Sequence, residues 1–416
     1  MMSQEQNQLL TSVGPGTPMG NLLRRYWIPV AAASELENKA TKKVRILCED
    51  LVLYRDLSGN LGLINEKCPH RKVSLVYGMP EKDGLRCQYH GWCFNQHGQC
   101  TEQPNEPETS TFKDRIKTKA YPVQEMGGLI FAYMGPEPAP LLPRFDGFVV
   151  DNAVRMIGNA VLPCNWLQIM ENSLDPIHTE WLHGHYHAYV TGLKGETQEV
   201  AFQRKHNKIA FDAFEYGIVK RRLLEGQSEE SDDWRIGHPV VFPFMLAVGS
   251  GGLGSYQFQI RVPIDDETTW HVWYMAYAPG PDVEIPEHLK EIPLYKVPYQ
   301  DEDGEFMTDY IDGQDIMCWI TQGSVADRMD ERLGTTDKGI IYYRQMLKKE
   351  IEKVERGEDP IGTIRDEADN QIIVLPLERK KHHFSDGFES VFKRFQTRFS
   401  PIIDDVVELF GKVGVK

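Results

Sequence analysis

Two short segments that each pair a cysteine with a histidine constrain this chain more than any other feature. Cys68-Pro-His70 is followed, after sixteen residues, by Cys87-Gln-Tyr-His90. A spacing of two or three residues lets one tight turn present a thiolate and an imidazole to the same site. Two such turns supply two sulfurs and two nitrogens, a donor set that suits a structural zinc ion or an iron–sulfur cluster. Either interpretation requires the two segments to fold as facing loops.

The distribution of the four donors between the two loops favours the iron–sulfur interpretation. Zinc fingers usually place paired cysteines in one half and paired histidines in the other, whereas each half is mixed here. In a Rieske centre the cysteines bind one iron and the histidines bind the other. The pattern C-x-H…C-x-x-H resembles the Rieske signature, and this resemblance implies a [2Fe–2S] cluster held by Cys68, His70, Cys87 and His90.

The rest of the chain predicts a second, larger domain of different character. Short β-type runs are followed by a proline-rich linker at 135–143, and then by a helical segment at 165–182 that is interrupted near Pro176. We expect strands at 44–47, 51–54, 61–64, 129–133, 209–215, 217–224, 240–248, 256–263 and 269–277. Helices are expected within 305–356 and 384–410.

This order of elements predicts an α+β chain, in which a small all-β domain precedes an antiparallel sheet with helices. We divide it into an N-terminal arm (1–41), a Rieske domain (42–143), a catalytic domain (144–376) and a C-terminal helical tail (377–416). A Rieske ferredoxin would end near residue 130, so the remaining two-thirds of the chain needs another role.

A second pair of histidines lies in the helical segment after the linker. His178 and His183 are five residues apart, which places them about 140° apart on a regular helix. They can share one metal only where the helix is broken or locally widened, and Pro176 and Gly184 favour such an irregularity. On spacing alone, such a pair is more often incidental than metal-binding.

The segment around these histidines resembles the catalytic motif of Rieske non-haem iron oxygenases, in which an asparagine and an aspartate precede two histidines. The resemblance implies a mononuclear Fe(II) bound by His178, His183 and one carboxylate, with positions left open for dioxygen and substrate. It also implies that Asp175, with Asn172 beside it, links the cluster of one subunit to the iron of its neighbour through hydrogen bonds.

The third iron ligand is expected far along the chain, where Asp315 opens an apolar helix. Asp309 and Asp312 are competing candidates, and helix N-capping is the alternative role for any of the three. Lys220, Arg221 and Arg222 lie on a probable strand and offer a carboxylate-binding cation, although at least two of them are expected to be solvated. His185, His187 and His271 are further imidazoles without an assigned role. His185 and His187 could line a pocket, but a position in a loop is the expectation for both.

Further segments resemble the phthalate 4,5-dioxygenase-like group, which includes the dehydrodivanillate O-demethylase type. They are 14–20, 24–27 and 322–334, and 237–263 is more similar to the O-demethylase type. The resemblance implies a Rieske domain joined to a helix-grip catalytic domain, assembled as a homotrimer or as a hexamer of paired trimers. It implies a terminal oxygenase that inserts oxygen from O₂ into an aromatic compound, by aryl O-demethylation or by ring hydroxylation of an aromatic acid.

We expect the electrons to come from a separate NAD(P)H-dependent reductase, a ferredoxin-type electron donor. The string Gly249-Ser-Gly-Gly-Leu-Gly254 matches a dinucleotide motif by letter, but it lies between two expected strands and opens no helix. The alternative function is a Rieske electron-transfer protein without oxygenase activity. Iron content separates the two, since an oxygenase holds about three irons per chain and a carrier about two.

Charge and cysteine usage exclude several other classes. The net charge of −15 opposes binding to nucleic acid or to an anionic membrane surface. The seven cysteines are odd in number and come without a recognisable export signal, so we expect thiols and metal ligands instead of disulfides. The chain is therefore expected to be cytoplasmic.

Overall fold

Antiparallel strands organise both halves of the chain. The structure, a computed structural model, describes residues 2–195, 201–250, 255–377 and 394–413. The fold class predicted from the sequence is confirmed: a β-rich N-terminal half precedes one large sheet that carries helices.

Eleven short strands build three small sheets in the N-terminal half, ordered β2-β3-β4-β9, β5-β6-β7-β8 and β1-β11-β10. Their bounds are β1 Trp27–Ala32, β2 Thr41–Ile46, β3 Glu49–Arg55, β4 Leu61–Asn65, β5 Met79–Glu81, β6 Gly84–Arg86, β7 Cys93–Phe94, β8 Cys100–Glu102, β9 Ala120–Tyr121, β10 Val123–Met126 and β11 Leu129–Tyr133. The arm expected at 1–41 contributes β1, which pairs antiparallel with β11.

The second half is organised by one eight-stranded sheet, ordered β13-β14-β15-β16-β17-β18-β12-β19. Its strands are β12 Val154–Leu162, β13 His206–Phe214, β14 Gly217–Leu224, β15 His238–Val241, β16 Met245–Ser250, β17 Ser255–Pro263, β18 Thr269–Tyr277 and β19 Leu294–Lys296. All neighbouring pairs are antiparallel except β12 with β19. The single strand expected at 240–248 is wrong, because Pro243 lacks the N–H that a continuous strand requires and the chain turns there.

Helices pack on this sheet and at both ends of the described chain. They are α1 Gln4–Thr11, α2 Pro18–Leu23, α3 Asp146–Val149, α4 Trp166–Ser173, α5 His178–Glu180, α6 His187–Leu193, α7 Asp232–Arg235, α8 Ile311–Thr321, α9 Lys338–Glu355 and α10 Ile403–Val413. A π-helical turn, Trp181–Tyr186, joins α5 to α6. Short 3₁₀ turns occupy Ala33–Leu36, Leu75–Tyr77, Phe112–Arg115, Ala201–Gln203, Glu287–Leu289, Thr335–Asp337, Glu367–Asn370 and Gln396–Phe399.

The helical expectation for 305–356 holds as two helices, α8 and α9, separated by irregular chain. Of the helical tail expected at 384–410, the first ten residues lie outside the described residues, and α10 accounts for the end. In the described part of the chain, no helix combines the length and the apolarity that crossing a membrane requires.

The hydrophobic core continues from one half of the chain into the other. One cluster contains Leu51 and Leu129 from the small sheets together with Phe258 and Tyr274 from the large sheet. A second cluster fills the opposite face of the large sheet, where Trp273 of β18 packs with side chains of α8 and α10. A third, smaller cluster surrounds Cys68 and Cys87.

A buried carboxylate fixes α4 against the helices around it. Glu171 accepts hydrogen bonds from Arg328 at 2.7 Å and from Arg344 of α9 at 2.6 Å. Arg344 also pairs with Glu331 at 2.6 Å. Burial alone would raise the pKa of Glu171, but the two arginines more than offset that effect and hold it below its usual value. Arg328 and Glu331 both lie in segment 322–334, which the sequence analysis singled out. They are therefore two members of a buried ion-pair network that positions α4.

We expect Glu171→Gln to destabilise the protein strongly, since it leaves two buried arginines without their shared carboxylate. The expected loss is about 3–5 kcal/mol, measured as a lower midpoint of urea unfolding. Because the pKa of Glu171 is lowered, its stabilisation is present above the pKa of an unfolded glutamate, about 4.3, and is lost as pH falls through the folded pKa. The variant and the natural protein should thus converge in acid. Glu358→Gln, at an exposed pair with Arg356, is the control and should leave the unfolding midpoint nearly unchanged, because solvent screens such a pair. Equal effects of the two substitutions would contradict the assignment.

Candidate metal centres

The two Cys/His segments form matching turns that follow β4 and β6, strands of two different small sheets. In the first turn, the Lys72 N–H donates to the Cys68 carbonyl at 2.9 Å, and in the second the Gly91 N–H donates to the Cys87 carbonyl at 3.0 Å. Lys72 and Gly91 both have positive φ, 60° and 75°. Glycine adopts this conformation freely, and lysine adopts it at a cost. The same backbone turn therefore repeats in both loops.

These turns place the four predicted donors in two layers. The thiols of Cys68 and Cys87 are buried, with residue exposures of 1% and 2%, while His70 is exposed and His90 half-buried. The two imidazole centroids are 4.5 Å apart, and the His70 ring stacks on Trp92 at 4.4 Å and 7°. Inner sulfurs and outer imidazoles fit a [2Fe–2S] cluster whose histidine-bound iron faces the surface. The structure brings these residues together, and their individual roles as ligands stay a prediction.

The second histidine pair converges because the helix widens between the two residues. The π-helical turn Trp181–Tyr186 has more residues per turn than an α-helix, so positions five apart come onto one side. The rings of His178 and His183 lie 5.2 Å apart, centroid to centroid, at 81°. Gly184 is needed within this turn, because a Cβ there would lie 2.8 Å from the carbonyl oxygen of Phe202.

Asp315 of α8 is the carboxylate that faces this pair. Its Oδ1 lies 3.3 Å from His183 Nε2 and 3.7 Å from His178 Nε2. Among the described residues, these three form the one group whose ligand atoms all lie within 4.8 Å of one another. Two imidazoles and one carboxylate match the donor set that holds non-haem Fe(II) with open positions.

The two competing carboxylates have other partners. Asp309 pairs with Lys194 and with Arg398, each at 3.0 Å. Asp312 accepts hydrogen bonds from the Trp273 indole and from the Gln396 backbone, each at 2.8 Å. Both roles are structural, which leaves Asp315 as the candidate ligand.

A buried glutamine that the sequence analysis missed orients the second histidine. Gln314 Oε1 lies 3.0 Å from His183 Nδ1, and Gln314 Nε2 lies 2.9 Å from His187 Nδ1. An amide oxygen only accepts, so His183 carries its proton on Nδ1 and keeps the Nε2 lone pair toward Asp315. His187, expected without a role and more typical of a loop, begins α6 in the interior. His185 stays exposed and packs on Trp181.

Asn172 and Asp175 border an open cavity beside the histidine pair. The cavity has a volume of about 670 Å³, and His178 and Trp181 also line it. Asp175 Oδ2 lies 3.7 Å from His178 Nδ1, and its Oδ1 accepts from the Ile177 N–H at 2.9 Å. The Asn172 amide lies 3.5 Å from Asp315. Both predicted residues thus approach the candidate ligands from the side of the cavity.

The cations of β14 and β17 differ from the sequence expectation. Arg221 lies on the outer face with Asp212, at 2.6 Å, but Lys220 and Arg222 are buried. The expectation that at least two of the three are solvated is wrong, because Arg222 finds a carboxylate, Asp233, at 3.0 Å in the interior. Arg261 of β17 is a further buried cation of this sheet, and nothing in the local sequence marks it as one.

Comparisons with known proteins match both halves of the chain. A Rieske [2Fe-2S] domain matches residues 26–117, and a LigXa C-terminal domain like region matches 299–375. The chain is 47% identical to the 5,5'-dehydrodivanillate O-demethylase oxygenase subunit of Sphingobium sp., over 90% of this chain and 87% of that protein. It is 46% identical to the tert-butanol monooxygenase / tert-amyl alcohol desaturase oxygenase subunit of Aquincola tertiaricarbonis, over 83% of this chain and 76% of that protein. Identity to the phthalate 4,5-dioxygenase oxygenase subunit of Pseudomonas putida is 31%, over 87% of this chain and 89% of that protein.

Solved structures share the fold at lower identity. Pseudomonas putida CBB5 NdmA with caffeine superposes with a TM-score of 0.61 at 20% identity, covering 82% of this chain and 94% of that one. An oxygenase–ferredoxin complex of carbazole 1,9a-dioxygenase gives a TM-score of 0.60 at 20% identity, over 89% and 98%.

We expect Gln314→Leu to weaken iron binding at the histidine pair and to leave the cluster loops intact. The substitution removes the acceptor that fixes the His183 proton, and loss of such a partner typically costs about 10–100-fold in metal affinity. Iron titration of the chelator-treated protein measures the affinity, and the cluster absorbance reports the other site. Gln371→Leu, at an exposed position that does not line the cavity beside the histidine pair, is the matched control. Unchanged iron affinity in Gln314→Leu would show that the amide does not orient the ligand.

Proposed function

The chain belongs to the oxygenase subunits of the Rieske non-haem iron oxygenases, and from this we propose that it demethylates a methoxylated aromatic acid. The observation that carries the proposal is the convergence of His178, His183 and Asp315 in a chain that is 47% identical to an O-demethylase oxygenase subunit. An electron carrier needs no second metal site, so this convergence argues against that alternative.

The residues divide the work between two sites. Cys68, His70, Cys87 and His90 would hold the [2Fe–2S] cluster, and His178, His183 and Asp315 the Fe(II). When bound, these groups supply electrons singly and open positions for dioxygen. Around them, Gln314 holds the His183 proton on Nδ1, and burial of His183 keeps bulk water from the inner side of the site.

The overall reaction balances without further reagents beyond the electron donor. An aryl methyl ether, O₂, two electrons and two protons give the aryl hemiacetal and one water. The hemiacetal then breaks its C–O bond to release a phenol and formaldehyde. The chain's own share is to position the methyl carbon and to exclude solvent.

We propose that the active assembly is a homotrimer, or a hexamer of paired trimers, in which Asp175 connects neighbouring subunits. Exposed apolar side chains flank both sites, and such patches mark interfaces. Tyr77, Met79 and Tyr89 lie near the cluster loops, and Trp181 and Tyr189 lie beside the histidine pair. Docking one patch on the other would bring the outer imidazoles, His70 and His90, of one subunit to the open cavity that Asp175 borders.

A separate NAD(P)H-dependent reductase of ferredoxin type is the proposed electron donor. The glycine string at 249–254 begins at the end of β16 and leads toward β17, and residues 251–254 lie outside the described residues. Solved relatives of the same fold include an oxygenase in complex with a ferredoxin. A cytoplasmic location stays a prediction from the sequence.

A second candidate is the oxidation of a small tertiary alcohol, favoured by the 46% identity to a tert-butanol monooxygenase subunit. Ring dihydroxylation of an aromatic acid is a third outcome, favoured by the phthalate relative at 31%.

Product analysis should separate these reactions. Holoenzyme with a reduced ferredoxin-type donor is incubated with methoxybenzoates, phthalate and tert-butanol, and each reaction is scored for formaldehyde, cis-diol and consumed alcohol. We expect formaldehyde in a 1:1 ratio with the phenol from at least one methoxybenzoate. A cis-diol, or oxidation of tert-butanol alone, would replace the proposed reaction by the corresponding alternative. No oxygenated product from any of them would contradict the proposal.

We expect Asp175→Asn to retain both irons and to lose most product formation. Asparagine keeps the shape of the side chain but loses the negative charge and one of the two acceptor oxygens. The hydrogen-bonded link between subunits therefore fails. The measurement is the rate at which the reduced cluster is reoxidised after mixing with substrate and O₂, expected to fall at least tenfold. Asp327→Asn, at an exposed position, is the control. Reoxidation at the natural rate would remove Asp175 from this role.

A further inference from the structure

The inner face of β17 is polar although it faces the protein interior. Ser255, Gln257 and Arg261 are all buried. Alternate residues of β17 lie opposite the inward residues of β18, in the pairs Ser255–Tyr277, Gln257–Met275, Gln259–Trp273 and Arg261–His271. Directly opposed side chains share one face, and here that face packs toward α8. Buried strand faces are ordinarily apolar, so this polar row favours contact with a polar ligand.

Arg261 differs from every other buried arginine among the described residues. Its exposed fraction is 0%, and no carboxylate of the described chain lies within ion-pair distance of it. The remaining buried arginines each pair with a carboxylate, as Arg24–Glu49, Arg222–Asp233, Arg328–Glu171 and Arg344–Glu171. A buried charge without a counter-ion is costly, which indicates that an anion from outside the chain completes this site.

The donors of Arg261 are only partly used. Its two terminal nitrogens each donate one hydrogen bond to Gln259, at 2.9 Å to the carbonyl and at 2.8 Å to Oε1. A guanidinium has five donors, so three remain, and the Nε–H has no acceptor among the described residues. The Nε edge of a guanidinium presents two parallel N–H groups, which match the two oxygens of a carboxylate.

His271 lies directly across from Arg261 and is also unsatisfied. It is 0% exposed, and neither ring nitrogen has a hydrogen-bond partner in the described part of the chain. Burial lowers the pKa of His271 well below its usual value, and Arg261 lowers it further. The neutral ring offers one N–H donor. The His271 ring stacks on Trp319, with the ring centroids 5.2 Å apart. The Trp319 indole N–H likewise finds no acceptor within the described ranges.

The position of this pair relates it to the iron ligands. Trp319 follows Asp315 by one turn of α8, a rise of about 6 Å. The negative charge of Asp315 favours the charged form of Arg261, although the two side chains do not form an ion pair. Arg261 and His271 therefore lie on the sheet face that packs toward α8, the helix that carries the candidate iron ligand Asp315.

Resting on the proposed function, we infer that Arg261 and His271 hold the carboxylate of the aromatic acid substrate. This assignment selects the substrate class among the relatives, because tert-butanol carries no anionic group for a buried guanidinium. It also makes Arg261 a specificity-determining residue that contacts substrate.

Binding of a matched acid and amide to the anaerobic holoenzyme tests the inference. The probes are 3-methoxybenzoate and 3-methoxybenzamide, which have nearly the same shape and differ in charge, measured by isothermal titration calorimetry. The natural protein should bind the acid at least tenfold more tightly. Arg261→Met should abolish this preference, Arg261→Lys should retain part of it, and His271→Phe, which keeps the stacked ring, should reduce it severalfold. Arg221→Met, on the outer face of the same sheet, should leave it unchanged.

The inference is overturned if the natural holoenzyme shows no preference for the acid, including the case in which neither probe binds. It is also overturned if Arg261→Met keeps the preference with normal cluster absorbance and iron content. Should Arg261→Met not fold, Arg261→Lys and the natural protein decide the question. Calorimetry requires no turnover, so a holoenzyme that prefers the acid but forms no product would contradict the proposed function alone.

Discussion

The candidate iron site depends on a backbone constraint, which is that two imidazoles five residues apart must face one point. A regular helix cannot satisfy this requirement, and the π-helical turn at Trp181–Tyr186 does. A widened turn is less favourable than a regular one and persists only where surrounding contacts hold it. Here the backbone of Phe202 approaches Gly184 too closely for any side chain, and Gln314 ties His183 to His187 across the turn.

Two buried polar groups therefore support the same geometry from different directions. Gln314 reaches the histidines from α8, the helix that also carries Asp315, so the carboxylate and the orienting amide move together. Glu171 anchors α4 through Arg328 and Arg344, and the next residue on that helix is Asn172, which contacts Asp315. The C-terminal end of helix α4 is thereby held both by charge and by its contact with the site.

Local spacing carries most of what the sequence could predict. The turns at Cys68 and Cys87 follow from candidate ligands two or three residues apart, and the resemblance to a known motif added His178, His183 and Asp315 as candidates. The roles of Gln314, Arg261 and His271 could not be predicted, because each depends on a neighbour brought in by tertiary packing. The same reason accounts for Arg222, whose partner Asp233 lies on a different element. The strand interrupted at Pro243 is a different case, because the missing N–H of proline is a local signal that the expected strand at 240–248 overlooked.

The hydrophobic core that Leu51 and Leu129 share with Phe258 and Tyr274 has a mechanical consequence. A rotation of one half of the chain relative to the other would disrupt this shared core. The distance between the cluster loops and the histidine pair of the same polypeptide is therefore fixed by packing. Any control over when electrons arrive must then arise from small movements at the periphery and not from a swinging domain. The same continuity means that neither half, expressed by itself, would have a complete interior to fold around.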